Sequence, residues 1–396
     1  MILFAFSALA IDGSRHFSNR RHAQNAADTA ALAGALAFSR GNDITTAAQD
    51  RASANGYDDN GTTNDVTITI TNTASGVCPS NVQGREITIA IVATTNTTFA
   101  RVLGWNTLTN AVTATTRACG SHSGPLFNGN AIVALAPTGK AYGGTGTPDW
   151  NITGGGIFSN SSSSNAAYCN GAADITAPSV SVVGDTQFDC NGVNIGSTTT
   201  DAIQYSSANI AGFLPRQPVC NGNAYLSGGK WYPQAGADGS KVSFSGDMVF
   251  AAGLYCVTNS PGSFHGEISG SEVTFYMTST NFSMKFNGGG NLTASAPTSG
   301  EYKGILIYLK PSFDGNGNLI QTQALDMRGN GSGNVVGTIW APSGDVTMFG
   351  NSGTGAFNSQ VIAYRVDSGG NADITIAYSA NDNYEVAVPN TLTLLK

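Results

Sequence analysis

Six cysteines, Cys78, Cys119, Cys169, Cys190, Cys220 and Cys256, are the residues of this chain best suited to covalent chemistry. None belongs to a CxxC pair, and no histidine lies near enough in sequence to complete a zinc set. An even number of thiols behind an apolar N-terminal stretch reads as up to three disulfides made in an oxidising compartment. Many connectivities are open on sequence alone. Nearest-neighbour pairing, Cys78–Cys119, Cys169–Cys190 and Cys220–Cys256, is the expectation, because it keeps each bridge inside one local unit. Buried free thiols are the competing reading.

Other chemistry-bearing residues are sparse. His16, His22, His122 and His265 are scattered and suggest neither a metal set nor a triad. The glycine runs at 154–156 and 288–290 and the GGTG at 143–146 lack the Lys-Ser/Thr and following helix of a phosphate loop, so they read as corners. Asp314, Asn316 and Asn318 have the first, third and fifth spacing of a calcium loop, but the glycine and the closing acid are missing. A loop tip is the stronger reading there, and weak calcium binding the alternative. Polysaccharide cleavage needs clustered carboxylates with a basic partner. With five glutamates in the chain, the available assemblies are Asp185 and Asp189 with Arg216, and Asp149 beside Trp150. The sequence therefore predicts no enzyme, no cofactor and no metal site. Trp150, Trp231 and Tyr232 are candidates for carbohydrate or surface contact, with core packing an equal alternative.

The elements that would position these groups follow from composition. Only 11% of residues are charged, while 50 glycines accompany abundant Asn, Ser and Thr. These residues offer the backbone local alternatives to the helical ladder, and so favour short strands between turns. A net charge of −7 without a basic stripe excludes nucleic acid as a partner. The chain is long enough for a sizeable core.

The N-terminus departs from that pattern. MILFAFSALAI is apolar but shorter than the roughly 20 residues of a membrane span, and the helical pattern runs on through the place where a signal peptide would be cleaved. Alanine and glycine then recur at 26, 27, 30, 31, 33, 34, 35 and 37. Small residues four apart, Ala26/Ala30, Ala27/Ala31 and Ala30/Gly34, would let a second helix approach closely. An Ala-rich helix docking on its own domain is the alternative.

The string LAIDGSRHFSNRRHAQNAADTAALAGALA resembles the N-terminal signature of the TadE/TadG-like proteins of the tight-adherence (Flp-type) pilus-assembly system. The matching positions are Asp12, Arg15, Arg20, Arg21, Gln24, Asn25, Ala26, Ala27, Asp28, Ala30, Ala31, Leu32, Ala33, Gly34 and Ala35. This family carries a longer apolar stretch upstream, which leaves the extent of the membrane segment open. The resemblance implies a pilus-assembly or minor pilin-like protein, with other pilus subunits and the membrane as partners. Residues 1–40 thus read as a membrane-associated assembly helix, and the resemblance implies a transmembrane helix there and a cell-envelope location, inner-membrane anchored or pilus-associated, with most of the chain exported. Arg15, Arg20 and Arg21 follow the apolar stretch, which on a simple positive-inside count opposes export, but large domains translocate despite flanking charge.

The remainder divides by composition. Residues 41–122 read as a small α/β, pilin-like unit: a helix capped at Asp43 or Thr45, alternating strands at 65–73 and 86–95, a short helix, and a third strand near 109–118. Glycine falls nine times before residue 121 and 41 times after it, which sets a boundary near residue 122. Residues 123–396 read as a Gly/Asn/Ser-rich extracellular β domain. A parallel β-helix is preferred there and a β-sandwich is the alternative. The fold class is thus mainly β behind an N-terminal α-helix. Display of the β domain for adhesion, with surface glycans among its possible contacts, is the leading functional expectation. A secreted carbohydrate-binding or carbohydrate-cleaving β-helix protein is the alternative.

Overall fold

A computed structural model describes residues 2–75, 77–78, 82–120, 122–147, 149–287, 290–329, 334–350, 355–370, 373–388 and 392–395. The chain forms two compact units. One joins Met1–Ser123 to Ala387–Lys396, and the other is Gly124–Val386. The second unit is thus an insertion in the first. Where the sequence reading carries one domain from residue 123 to the end, the strand Leu392–Leu395 pairs instead with residues 115–118.

The first unit opens with α1 (Ile2–Ser39), a helix of 38 residues and so about 57 Å long. After it comes α2 (Ile44–Ala54), whose Asp43 cap accepts the Thr46 N–H at 2.7 Å. Three antiparallel strands follow, β1 (Asn64–Asn72), β2 (Gly84–Asn96) and β3 (Thr107–Cys119), with a 3-10 turn at Ala100–Leu103. The alternation in β2 is read directly into burial: Ile87, Ile89 and Ile91 lie fully buried towards the helices. Across β1 the register sets Val66, Ile68 and Ile70 against Ile91, Ile89 and Ile87. Val66 is buried but Ile70 is exposed, because β1 is the edge strand and α1 packs chiefly on β2 and β3.

The second unit is almost entirely strand, and its pairing is parallel with a recurrent skip, so that each strand bonds mainly to the strand one winding away. Three parallel ladders result. In the first, Tyr255, Phe275, Ile307, Ile339, Val361, Ile132, Ile157 and Val180 stand in register on successive strands, forming a continuous inward stack. All eight are buried. Each side chain of this size contributes roughly 1.5–3 kcal/mol by leaving water, and the parallel register lets one contact serve two rungs.

The order of windings does not follow the chain. Strand Val361–Gly370 stacks on Ile132–Ala134, one of the first strands of the unit. The chain therefore starts in the middle of the stack, adds strands towards one end at Thr198–Thr199, crosses to the other end, and adds strands back from Gly222–Asn223. The crossing segment covers the outward side of the first ladder. That side carries Cys256, Tyr276, Tyr308, Trp340, Ile362, Val133 and Phe158, which cluster with Ile210, Phe213 and Leu214 of the crossing. The Tyr308 hydroxyl donates to the Pro215 carbonyl at 2.9 Å, and the Cys220–Cys256 bridge fastens the segment to the ladder. Strands Val273–Met277 and Ile305–Leu309 are consequently buried on both faces, which is why GILIYLK is continuously apolar.

Candidate functional site

The N-terminal helix is where sequence expectation and geometry meet. Ala23, Ala26, Ala27, Ala30, Ala31 and Ala35 are buried in one cluster with Ile87, Ile89, Ile91, Val112 and Ala114 of the sheet and Ala48 and Ala52 of α2. A Cβ added at Gly34 would lie 3.2 Å from methyls of both Ile44 and Ile87. The small residues expected to admit a neighbouring helix therefore admit the chain's own sheet and second helix, and in this structure that face is occupied. The reason is geometric: small side chains let a backbone come close to any partner, sheet or helix. The other side of α1 opens on a groove lined by Leu32, Ala33, Leu36, Arg40 and Arg51, with Leu392 from the last strand.

The polar residues of the motif fasten the same helix. Asp12, buried, accepts the N–H groups of Thr98 (3.0 Å), Phe99 (2.9 Å) and Ala100 (2.7 Å), which open the 3-10 turn between β2 and β3. Those are the donors that a short helix leaves unpaired, so one carboxylate both caps the turn and ties it to α1. The Ala100 N–H foremost, with those of Thr98 and Phe99 and the nearby Arg15 guanidinium, holds the Asp12 carboxyl below its ordinary range. Arg15 donates to Thr98 Oγ1 at 3.1 Å. Asn19 donates to Thr95 Oγ1 at 3.0 Å, and Asn110 to the His16 carbonyl at 3.3 Å. Further along, Gln24 donates to Asp28 (2.9 Å) and to the Thr113 carbonyl (3.2 Å). Arg20, Arg21 and Asn25 remain exposed. No helix among the described residues is long and apolar enough to cross a membrane, so the transmembrane helix expected of this segment is not found there.

The remaining sequence candidates fall apart in space. Arg216 binds Asp238 (2.9 Å) and Glu301 (2.6 Å), not Asp185 or Asp189. Asp185 accepts its neighbour Thr186 N–H, and Asp189 accepts from Gln187. Asp149 accepts the Asp174 N–H, while Trp150 is a core residue stacked edge-on against Tyr142. Trp231 and Tyr232 are half-buried, and Tyr232 stacks on Tyr225. Asp314 accepts the backbone N–H groups of Asn316 and Asn318 and the Asn318 side chain, which makes the DGNGN segment a self-bonded turn. His22 meets the Tyr57 hydroxyl at 3.1 Å, and His265 is exposed. The His122 side chain and Gly288–Gly289 lie outside the described residues. Gly154, with φ +75, turns a corner so tight that a Cβ would collide with the Tyr378 carbonyl. Among the described residues no cluster of three or more His, Cys, Asp or Glu is arranged to hold a metal ion. The disulfides are Cys78–Cys119, Cys169–Cys190 and Cys220–Cys256.

One polar row escaped the sequence reading. On the second ladder Thr347, Asp367, Gly143 and Tyr168 stand in register, with Asp345 paired to Arg365 alongside. Arg365 reaches Asp345 at 3.6 Å, and the Lys140 ammonium sits 4.1 Å above the Tyr168 ring. Burial first, then the Asp345 charge, pushes the Asp367 carboxyl up to about 6, against the opposing effect of Arg365 and Lys140. Only the ladder register brings these residues together, and no local motif marks it.

Residues 1–37 match the family model of the Flp pilus-assembly TadE/G-like proteins. The matched segment nearly coincides with α1, and associates it with pilus assembly and the cell envelope. No curated protein and no solved structure matches the chain.

Proposed function

We propose that this chain is a structural, non-catalytic component of a tight-adherence pilus-assembly system, with its bulk exported to the cell envelope. The observation that carries the reading is the coincidence of the family match at residues 1–37 with a single helix whose motif residues hold it to the unit behind it. Three disulfides support an oxidising compartment. The apolar start of α1 supplies membrane association and contact with other pilus subunits. We read the winding of the second unit as a parallel β-helix, displayed outside as an adhesive or contact surface. Its stacked ladders make a stiff, turn-rich scaffold, and its candidate carboxylates are spent on turns and ion pairs rather than converging with a base.

The test is fractionation of cells that carry such a pilus system, with the full chain and with a variant in which Phe4 and Phe6 become Ser. The full chain is expected in the envelope or sheared-pilus fraction with its cysteines oxidised, and the variant is expected to shift towards the soluble fraction. Recovery of the full chain in the cytosol with free thiols would end this reading. A second reading, a saccharide-binding coil, is favoured by the row of Asp345, Arg365, Asp367 and Tyr168 on the second ladder. Binding of soluble glycans that is lost when Asp367 and Tyr168 are replaced would favour it.

A further inference from the structure

The turn between β2 and β3 carries side chains that its own unit does not cover. Val102 is 87% exposed and Trp105 61% exposed, and Phe99 is also exposed beside them. On α1, whose Asp12 binds this turn, Phe17 is 68% exposed and Ile11 is exposed as well. Single exposed apolar residues are ordinary on a protein surface, but five on two adjoining elements are not. The same end is basic. Residues 1–21 and 97–106 together hold Arg15, Arg20, Arg21 and Arg101 against the lone acid Asp12, in a chain of net charge −7. Asp12 is itself turned into the backbone amides of the turn.

Position along the helix gives these features a common partner. The apolar run ends at Ile11, and the next residue is the one that binds Thr98, Phe99 and Ala100. The turn is thereby fixed at the level of α1 where apolar sequence gives way to arginine. Trp and Phe beside Arg, at the end of an apolar helical segment, is the arrangement that suits the boundary between lipid headgroups and acyl chains. We propose that the turn Phe99–Trp105 is a second point of contact with an anionic lipid surface, alongside the apolar start of α1, and that Asp12 sets its depth. Val102, Phe99 and Trp105 enter the headgroup region while Arg15, Arg20, Arg21 and Arg101 meet lipid phosphates. This inference rests on the envelope reading above and deepens it by naming the surface and its ligand.

The experiment uses the full oxidised chain and vesicles of phosphatidylglycerol mixed with phosphatidylcholine, against vesicles of phosphatidylcholine alone. Co-sedimentation is expected to favour the anionic vesicles by on the order of tenfold or more, and to weaken with salt. The double variant V102S/W105S is expected to bind about tenfold more weakly, because two large apolar side chains no longer leave water. Both positions are exposed, so folding is expected to be unchanged. As a second readout, brominated lipid is expected to quench the fluorescence that the wild type has and W105F lacks. Trp150 and Trp340 are fully buried and do not contribute to that difference. Equal vesicle binding by wild type and double variant, or no quenching of the Trp105 signal, overturns the proposal. So does a vesicle-independent dimer that the double variant abolishes, which would assign the patch to a second copy of the chain. Purified vesicles need no pilus partner. Failure here with normal envelope fractionation therefore removes the role of the turn alone, whereas cytosolic recovery removes the envelope reading itself.

Discussion

Whether the alanine stripe of α1 serves folding or assembly can be decided at Ala30. Its side chain is fully buried among residues of the sheet and of α2. Replacing it by Leu adds three carbons where there is no free surface, so α1 must shift or its neighbours must leave their rotamers. Overpacking of this kind costs roughly 1–3 kcal/mol. Leu and Ala have similar helix propensity, so the helix itself does not account for the cost. The control is Ala33→Leu, one turn on, where the side chain is half-exposed and faces the groove with Leu32 and Leu36. There the same added volume is expected to change stability by less than about 0.5 kcal/mol. Urea unfolding followed by circular dichroism measures both. A fall in the midpoint for Ala30→Leu with an unchanged slope, and no fall for Ala33→Leu, matches the packing described here. A stable Ala30→Leu protein that no longer enters the pilus fraction would refute it, since the stripe would then face a partner.

Asp12→Asn removes the charge that three N–H groups share, and hydrogen exchange at Thr98, Phe99 and Ala100 is expected to quicken at least about tenfold; unchanged protection would mean the turn is held by other contacts. Because the Asp12 carboxyl is lowered in the folded state, its stabilisation is full above the unfolded value and is lost as pH falls through the folded one. The Asn variant should therefore show a flatter acid limb in its unfolding curve. Asp367 has the opposite sign: raised to about 6, it destabilises the fold once ionised. Asp367→Asn is expected to raise the unfolding free energy at pH 8 by at most about 3 kcal/mol, and to match the wild type only at about pH 3 and below, where the carboxyl is neutral in the folded and unfolded chain alike; a stability difference independent of pH would count against the burial argument. Replacing Cys220 and Cys256 by Ser releases a bridge 36 residues apart in sequence, with an expected loss of up to about 4 kcal/mol in unfolding free energy. Faster exchange at Ile210 and Phe213 should accompany it, and protection there equal to wild type would show that side-chain packing alone holds the crossing.

Legibility in the sequence tracked how local the physics was. The strand EITIAIVATT could be read because alternation is a property of neighbouring residues, and burial of Ile87, Ile89 and Ile91 follows from it. The equal alternation in β1 misled at Ile70, because an edge strand has no helix over its end, and edges are not written in a periodicity. The stripe from Ala26 to Ala35 announced close packing but not the partner, since helix and sheet ask for the same small residues. Asp12 stood in the motif, yet its work was invisible: its donors lie 86 to 88 residues away. The row of Asp345, Asp367 and Tyr168 was lost for the same reason, as it exists only once the rungs are in register.

The order of strands in the stack has a consequence for its unpaired edges. A coil of parallel rungs presents an unpaired strand at each end, which is a template for joining another chain. Here one end finishes on the two-residue strand Thr198–Thr199 and on Thr186–Ile195, a ten-residue strand that pairs, among the described residues, only with Ala167–Ala177; the other finishes on Gly222–Asn223. The long, strongly bonded strands Thr338–Gly350 and Val361–Gly370 lie instead in the interior of the stack, where the start and the finish of the insert meet. Beginning in the middle of the stack thus places the longest strand, Thr338–Gly350, in its interior, while Thr186–Ile195 stays at an edge. It also sets Val361–Gly370, late in the insert, beside Ile132–Ala134, early in it, and after the insert the chain returns as Leu392–Leu395 to pair antiparallel with β3. An insertion whose ends adjoin leaves the sheet that packs on α1 uninterrupted.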